Sequence, residues 1–205
     1  MIDNPSKKII VFDFDKTLTK SDSFNQFLII ASKKNFVYPF KLVRYFFLII
    51  QKKIGFISLE LLKERAMNLF FYDEKNIDLD LRAKSFSKKI KLNKVYYEDY
   101  FIENKNSRVI ISTASPSLYM QYFDFNEFHS SYFDFDSKYG FKLLYHNHGE
   151  NKLKTLLNSG INAIDCLYTD SVDDEPLARI ASKIILVQNG KKKKFDSYND
   201  FINGF

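Results

Sequence analysis

The sequence predicts an α/β fold: a parallel sheet assembled from βαβ units, with an α-helical segment inserted after the first strand. Three observations predict it. Four short apolar runs, in "KKIIVFDFD", "SRVIISTAS", "AIDCLYTDS" and "SKIILVQNG", end in polar or turn-forming residues, as strands buried on both faces of a parallel sheet do. Helix-patterned segments precede the last three runs, which is the alternation that βαβ units require. Between the first and second runs, residues 20–93 carry helical patterning and no strand signal.

In chain order, the first strand runs through "IIVF" into "DFD". The insertion then reads as helices in "DSFNQFLIIASKK", "PFKLVRYFFLIIQKK", "SLELLKERAMNLFF" and a Lys-rich stretch near 78–91. The helices outside it are "NKVYYEDYFIENKN" before the second strand, "NKLKTLLNSG" before the third and "EPLARIA" before the fourth. Gly160 suits a helix C-terminus. The expected organisation is a core of residues 1–19 and 94–205, with residues 20–93 as a helical cap over the sheet's C-terminal edge, where open α/β sheets bind ligands.

The bulk numbers bound the class. The chain has 205 residues, 45% hydrophobic and 27% charged, with 22 Phe, 13 Tyr and no Trp. That is an ordinary globular composition with length for a substantial core. The formal net charge is +6, compatible with anionic substrates or surfaces without choosing among them. Lys191–Lys194 reads as loop decoration. No basic stripe with interleaved aromatics surrounds it, so no nucleic-acid partner is expected. The single cysteine, Cys166, sits in a buried-strand pattern and argues for a reducing compartment. "MIDNPSKKIIVF" lacks a signal-peptide apolar core, and a cytoplasmic location is expected. In residues 36–53, Pro39, Lys41 and Arg44 interrupt the most apolar stretch, which is too short to span a bilayer. Lys34, Lys41, Arg44 and Lys52 fall near one helical face, which suits a packed helix with one wet side or peripheral contact with a membrane surface.

The strand ends carry the chemistry. Asp13 and Asp15 end the first, Thr113 and Ser115 the second, and Asp170 and Asp174 the third or its loop. In an open parallel sheet these ends converge at one crevice. Several carboxylates there repel one another unless a cation is present, and an oxygen-only set suits Mg²⁺. A carboxylate nucleophile, a second carboxyl two residues on and a Mg²⁺ would support phosphoryl transfer.

On these residues the sequence resembles the haloacid dehalogenase superfamily. DxDx(T/V) is matched by Asp13-Phe-Asp15-Lys-Thr17. A Ser/Thr ending a strand is matched by Thr113, a lysine opening a helix by Lys152, and a strand followed by DSxxD by Asp170-Ser171-Val-Asp-Asp174. "STASP" and "DSVDDEPL" look most like the phosphoserine-phosphatase branch, which carries a helical cap after the first motif. The resemblance implies a Rossmann-like core and a Mg²⁺-dependent phosphatase with an aspartyl-phosphate intermediate. Asp13 would be the nucleophile and Asp15 the general acid and base. Thr113, the backbone around Ala114 and Lys152 would bind phosphate. Asp13, the Asp15 carbonyl and Asp170 would hold the metal, with Asp174 and Thr17 supporting.

Asp22 matches an acidic position that contacts the substrate's amino group in phosphoserine phosphatases, and it equally suits a helix N-cap. Lys63 and Arg65 are candidates for a substrate carboxylate or second phosphate. The expected substrate is a small phosphomonoester, such as a phosphorylated amino acid, amino alcohol or sugar-linked headgroup. The alternatives are a lipid-phosphate phosphatase, since the apolar, basic cap resembles phosphatidylglycerophosphatase-like members of the branch, and a catalytically silent binding module. The second "FDFD", Phe133–Asp136, alternates apolar and polar residues before Tyr139-Gly140, so it reads as a half-exposed hairpin rather than a reaction centre. His146 and His148 lack companion ligands for a transition metal and are expected in a loop near the site. Oligomeric state is not legible.

Overall fold

The computed structural model describes residues 7–72 and 76–204. Residues 1–6, on which the reading of the N-terminus falls, lie outside the described residues.

The four predicted strands form: β1 (Ile9–Phe12), β2 (Arg108–Pro116), β5 (Cys166–Thr169) and β6 (Ile184–Gln188). They pair in parallel in the order β2-β1-β5-β6. The hairpin β3 (Phe128–Asp136) and β4 (Gly140–Tyr145) extends the sheet past β2, and β7 (Lys191–Phe195) closes the other edge. The order is therefore β4-β3-β2-β1-β5-β6-β7. Phe133–Asp136 lies in β3, antiparallel to β4, so the second FDFD is a hairpin strand as expected.

Lys191–Lys194 corrects the loop reading: these residues form strand β7, antiparallel to β6. Asn189 and Gly190 between the strands both have positive φ, 51° and 76°. A two-residue Asn-Gly turn of this kind makes a tight hairpin, and a lysine-rich edge strand discourages further pairing.

Strand alternation sorts the core into two layers. Ile10, Phe12, Val109, Ile111, Tyr168 and Val187 face one side, where they pack with the helical insertion and an aromatic cluster. Val11, Ile110, Leu167, Ile184 and Leu186 face the other. There they meet α7 (Glu150–Asn158), α8 (Glu175–Ala178) and α9 (Tyr198–Asn203). Both faces are covered, which is why these strands read as unbroken apolar runs.

The insertion contains α1 (Ser23–Ala31), α2 (Tyr38–Lys53), α3 (Leu59–Phe71) and α4 (Asn76–Ser87). Asp22 caps α1 and Ser58 caps α3 through side-chain oxygens. The chain enters and leaves it side by side: Lys20 N–H donates to Lys91 O and Asn93 N–H to Leu18 O. A π-helical turn (Tyr96–Tyr100) and α5 (Phe101–Asn106) lead into β2, and α6 (Ser117–Met120) follows it. Helix α2 departs from the one-wet-side reading. Among its residues Tyr45 alone is buried, and its outward face is apolar: Phe40, Val43, Phe47 and Ile50 are exposed.

Candidate active site

The site grows from three strand ends. Strand β1 stops at Phe12, so Asp13 and Asp15 project from the following turn and not from a shared strand face. Leu18 and Thr19 N–H both donate to Phe14 O, and Lys16 takes a left-handed conformation at φ 57°. Phe14 is buried beneath the turn against Phe123 and Phe125. With Phe14 as anchor, both carboxylates line one cavity of about 200 Å³. Lys16, Asp22, Lys63, Ala114, Lys152 and Asp170 share its walls.

Lys152 ties this turn to the third strand's loop. Its Nζ lies 2.6 Å from Asp13 Oδ1 and 2.7 Å from Asp174 Oδ1. Asp174 in turn accepts from Thr169 Oγ1 at 2.8 Å. A lysine in the first turn of α7 opposes the helix dipole, and these two carboxylates compensate it. Burial disfavours its charge, yet Asp13 and Asp174 hold its pKa above the ordinary value. Gly149, at φ 53°, turns the chain into α7 in a region that side-chain-bearing residues rarely adopt. Asn147, fully buried, clamps the preceding loop to β2 and β3 by donating to Thr113 O and His129 O.

Asp15 is held from two sides. Ser23 N–H donates to Oδ1 at 2.5 Å and Ser115 Oγ to Oδ2 at 2.7 Å. Ser23 Oγ also meets Ser115 Oγ and Tyr119 Oη at 2.7 and 2.8 Å. Sequence reasoning grouped Ser115 with the strand end but missed Ser23, whose contact depends on how the first cap helix folds back. Thr113 is buried, and its Oγ1 accepts from Ser115 N–H. The Thr17 hydroxyl is buried without a hydrogen-bond partner among the described residues.

The cluster carries an excess of carboxylate. Burial pushes the Asp13 carboxyl well up, with Lys152 opposing and Asp174, Asp170 and Asp15 adding. Asp170 is pushed up to about 6, again chiefly by burial, with Lys16 opposing and Asp174 and Asp15 adding. Such a set suits a bound cation. Among the described residues no three His, Cys, Asp or Glu side chains are placed to share one ion. The expected Mg²⁺ set has two carboxylates, Asp13 and Asp170, with the Asp15 carbonyl. Mg²⁺ commonly keeps several waters beside one or two carboxylates, so the donor set fits.

The insertion supplies Lys63 and not Arg65. Lys63 is 7% exposed, and its Nζ donates to Ala114 O at 2.7 Å and lies 3.2 Å from His146 Nε2. His146 Nδ1 lies 2.9 Å from Glu60 Oε1. These contacts assign a neutral His146 that donates to Glu60 and accepts from Lys63. Burial, with Lys63 adding, pulls His146 down to about 4, and the hydrogen bond from His146 pulls Glu60 down to about 2. Arg65 lies two residues on, around the helix, and lines the groove between α2 and α3 away from the cavity. Asp22 satisfies both of its readings: it caps α1 through Asn25 N–H at 2.7 Å and lines the cavity. His146 and His148 stack in the loop before α7, and His148 reaches the cavity. A larger cleft of about 760 Å³ opens across Lys16 and Asp170, but neither Asp13 nor Asp15 reaches it.

No family model and no curated protein matches the sequence; solved structures do. A Bordetella pertussis protein of unknown function superposes with a TM-score of 0.68 at 17% identity, covering 84% of this chain and 86% of that one. A HAD family hydrolase from Salmonella enterica serovar Typhi matches with a TM-score of 0.61 at 14% identity, over 86% of this chain and 61% of that one. A phosphoserine phosphatase solved as its phospho-aspartyl intermediate analogue matches with a TM-score of 0.56 at 15% identity, over 88% and 86%. The chain therefore shares the fold of these HAD family hydrolase and phosphoserine phosphatase structures.

Proposed function

We propose that the protein is a Mg²⁺-dependent phosphatase that hydrolyses phosphate monoesters through an aspartyl-phosphate on Asp13. The observation that carries this reading is Asp13 and Asp174 bridged by one buried lysine, with Asp15 and Asp170 on the same small cavity. A neighbour of the same fold, a phosphoserine phosphatase solved as its phospho-aspartyl intermediate analogue, supports this reading.

Asp13 attacks phosphorus. An Oδ–P bond forms as the bond from phosphorus to the leaving oxygen breaks. Asp15 gives its proton to that oxygen, then takes one from the water that cleaves the acyl phosphate and restores Asp13. Lys152, Thr113 and the backbone around Ala114 hold the phosphoryl oxygens. Asp174 and Thr169 fix Lys152 in place, and Ser115 and Ser23 fix Asp15. Asp13, the Asp15 carbonyl and Asp170 would hold Mg²⁺, which would supply charge neutralisation for the phosphoryl group.

The helical insertion acts as a cap that sets the leaving group. Lys63 and Asp22 place a cation and a carboxylate on the cavity wall, and the cavity has room for a short leaving group. This favours small esters with a charged substituent. The test is phosphate release with Mg²⁺ across a panel of amino-acid, amino-alcohol, sugar and lipid phosphates, with Asp13→Asn as control. Release by the wild type alone supports the reading. Equal release by D13N, or none from any ester by folded protein, overturns it.

A further inference from the structure

The outward side of α2 has no covering element. Phe40, Val43, Phe47 and Ile50 recur at helical spacing along it. Phe36 one turn before and Ile54 one turn after continue the stripe, all exposed. Phe36 is 86% exposed, and Phe56 just beyond the helix is 81% exposed. Soluble surfaces rarely leave so long an apolar stripe open. The opposite side of α2 packs inward through Tyr38, Leu42, Tyr45 and Leu48, so the exposed stripe is not the helix's core face.

Charge accompanies it. No acidic residue occurs between Asp22 and Glu60, whereas Lys33, Lys34, Lys41, Arg44, Lys52 and Lys53 do. The remaining 25 basic residues are matched by 25 acidic ones, so the whole net charge of +6 resides on this segment. Arg44 and Lys53 are exposed at the two flanks of the apolar stripe, and Lys52 is exposed at the helix end. Two copies joined through this face would bring together two segments of net charge +6, which disfavours self-pairing. An anionic bilayer meets both features: its acyl boundary takes the stripe, and its headgroups take the lysines and arginine. The α2 helix of 16 residues, about 24 Å long, would lie in the interface plane. No helix among the described residues is long and apolar enough to cross a membrane.

We propose that the α2 face docks the protein on anionic lipid membranes, with Phe36, Phe40, Phe47 and Ile54 entering the headgroup boundary. The inference is independent of the proposed catalysis and is read without it. Because the chain has no tryptophan, F40W provides a single reporter, and Y139W at the exposed hairpin tip provides the control. With vesicles of phosphatidylcholine mixed with phosphatidylglycerol, F40W fluorescence should shift to the blue and be quenched by brominated lipid, and Y139W should not respond. The unlabelled chain should float with these vesicles, weakly or not at all with phosphatidylcholine alone, and less at high salt. F40S/F47S should lose at least about a hundredfold in vesicle affinity, and R44E/K53E more than about tenfold at low salt. Both replace exposed residues, so their unfolding temperatures should match wild type, which separates lost docking from lost folding. Two outcomes overturn the proposal. One is no F40W response to anionic vesicles. The other is a concentration-dependent dimer in solution that F40S/F47S dissolves while vesicles stay unbound.

Discussion

Replacing Lys63 with methionine separates stability from activity in opposite directions. Lys63 is 7% exposed, and burial pulls its pKa from 10.5 to about 8 although Asp15 and Asp22 oppose this. With the folded value below the unfolded one, the unfolded chain binds more protons between them. Stability therefore rises with pH from about 8 towards 10.5, and the full penalty applies below about 8. That penalty is roughly 3 kcal/mol. Methionine keeps most of the volume and removes the charge. It leaves His146 Nε2 without its donor, a loss of about 1–2 kcal/mol, whereas Ala114 O keeps its bond from Ser131 Oγ. The variant should be about 1–2 kcal/mol more stable at neutral pH, a rise of about 2–8 °C in Tm. The gain should shrink as the pH approaches 10.5. Activity should fall: kcat/KM for esters with an anionic leaving group drops about 10- to 100-fold, and neutral leaving groups lose less. Urea unfolding across pH and steady-state phosphate release measure both. A variant that is less stable at neutral pH, or that turns over all esters as the wild type does, refutes the reasoning.

Other substitutions test the frame around the site. Lys152→Met leaves Asp13 and Asp174 buried without their shared cation and should cost about 3–5 kcal/mol in chemical unfolding, with phosphate release lost. Asp22→Asn keeps the cap of α1 and should unfold within a few tenths of a kcal/mol of wild type, roughly, while Asp22→Ala should lose about 1 kcal/mol. Both should weaken turnover of aminated esters relative to uncharged ones. Gly140→Ala should cost about 2 kcal/mol or more. Gly140 sits at φ +80°, and an added Cβ would come within 2.1 Å of Asn68 Oδ1, the atom that joins α3 to β4 through Phe141 N–H.

The sequence makes the sheet legible because its four parallel strands are buried on both faces, and continuous apolar runs ending in Asp, Thr or Ser are hard to mistake. Asp13 and Asp174 are legible for the same reason: strand ends in such a sheet share one edge. Lys152, in the first turn of α7, is legible only through the resemblance. What escaped depends on tertiary placement. Lys63 and Arg65 look equivalent in "LLKERAM", and only the rotation of α3 turns the first towards the cavity and the second towards the α2 groove. His146 lies in a loop by the site as expected, but its partners, Glu60 and Lys63, were hidden because they lie more than eighty positions away. Strand β7 was hidden by four consecutive lysines, although the Asn189-Gly190 pair before them is a hairpin signal. The apolar outward face of α2 was masked because an apolar helix is read as buried until its packing is seen.

The most direct test of the central claim is to quench turnover in acid, using a labelled phosphate ester with Mg²⁺, and to locate the label by peptide mass spectrometry. The account predicts one acid-stable, base-labile phosphoryl group on Asp13, absent from D13N. Phosphate release at the wild-type rate by D13N, or rapid turnover with the label on another residue, would contradict it.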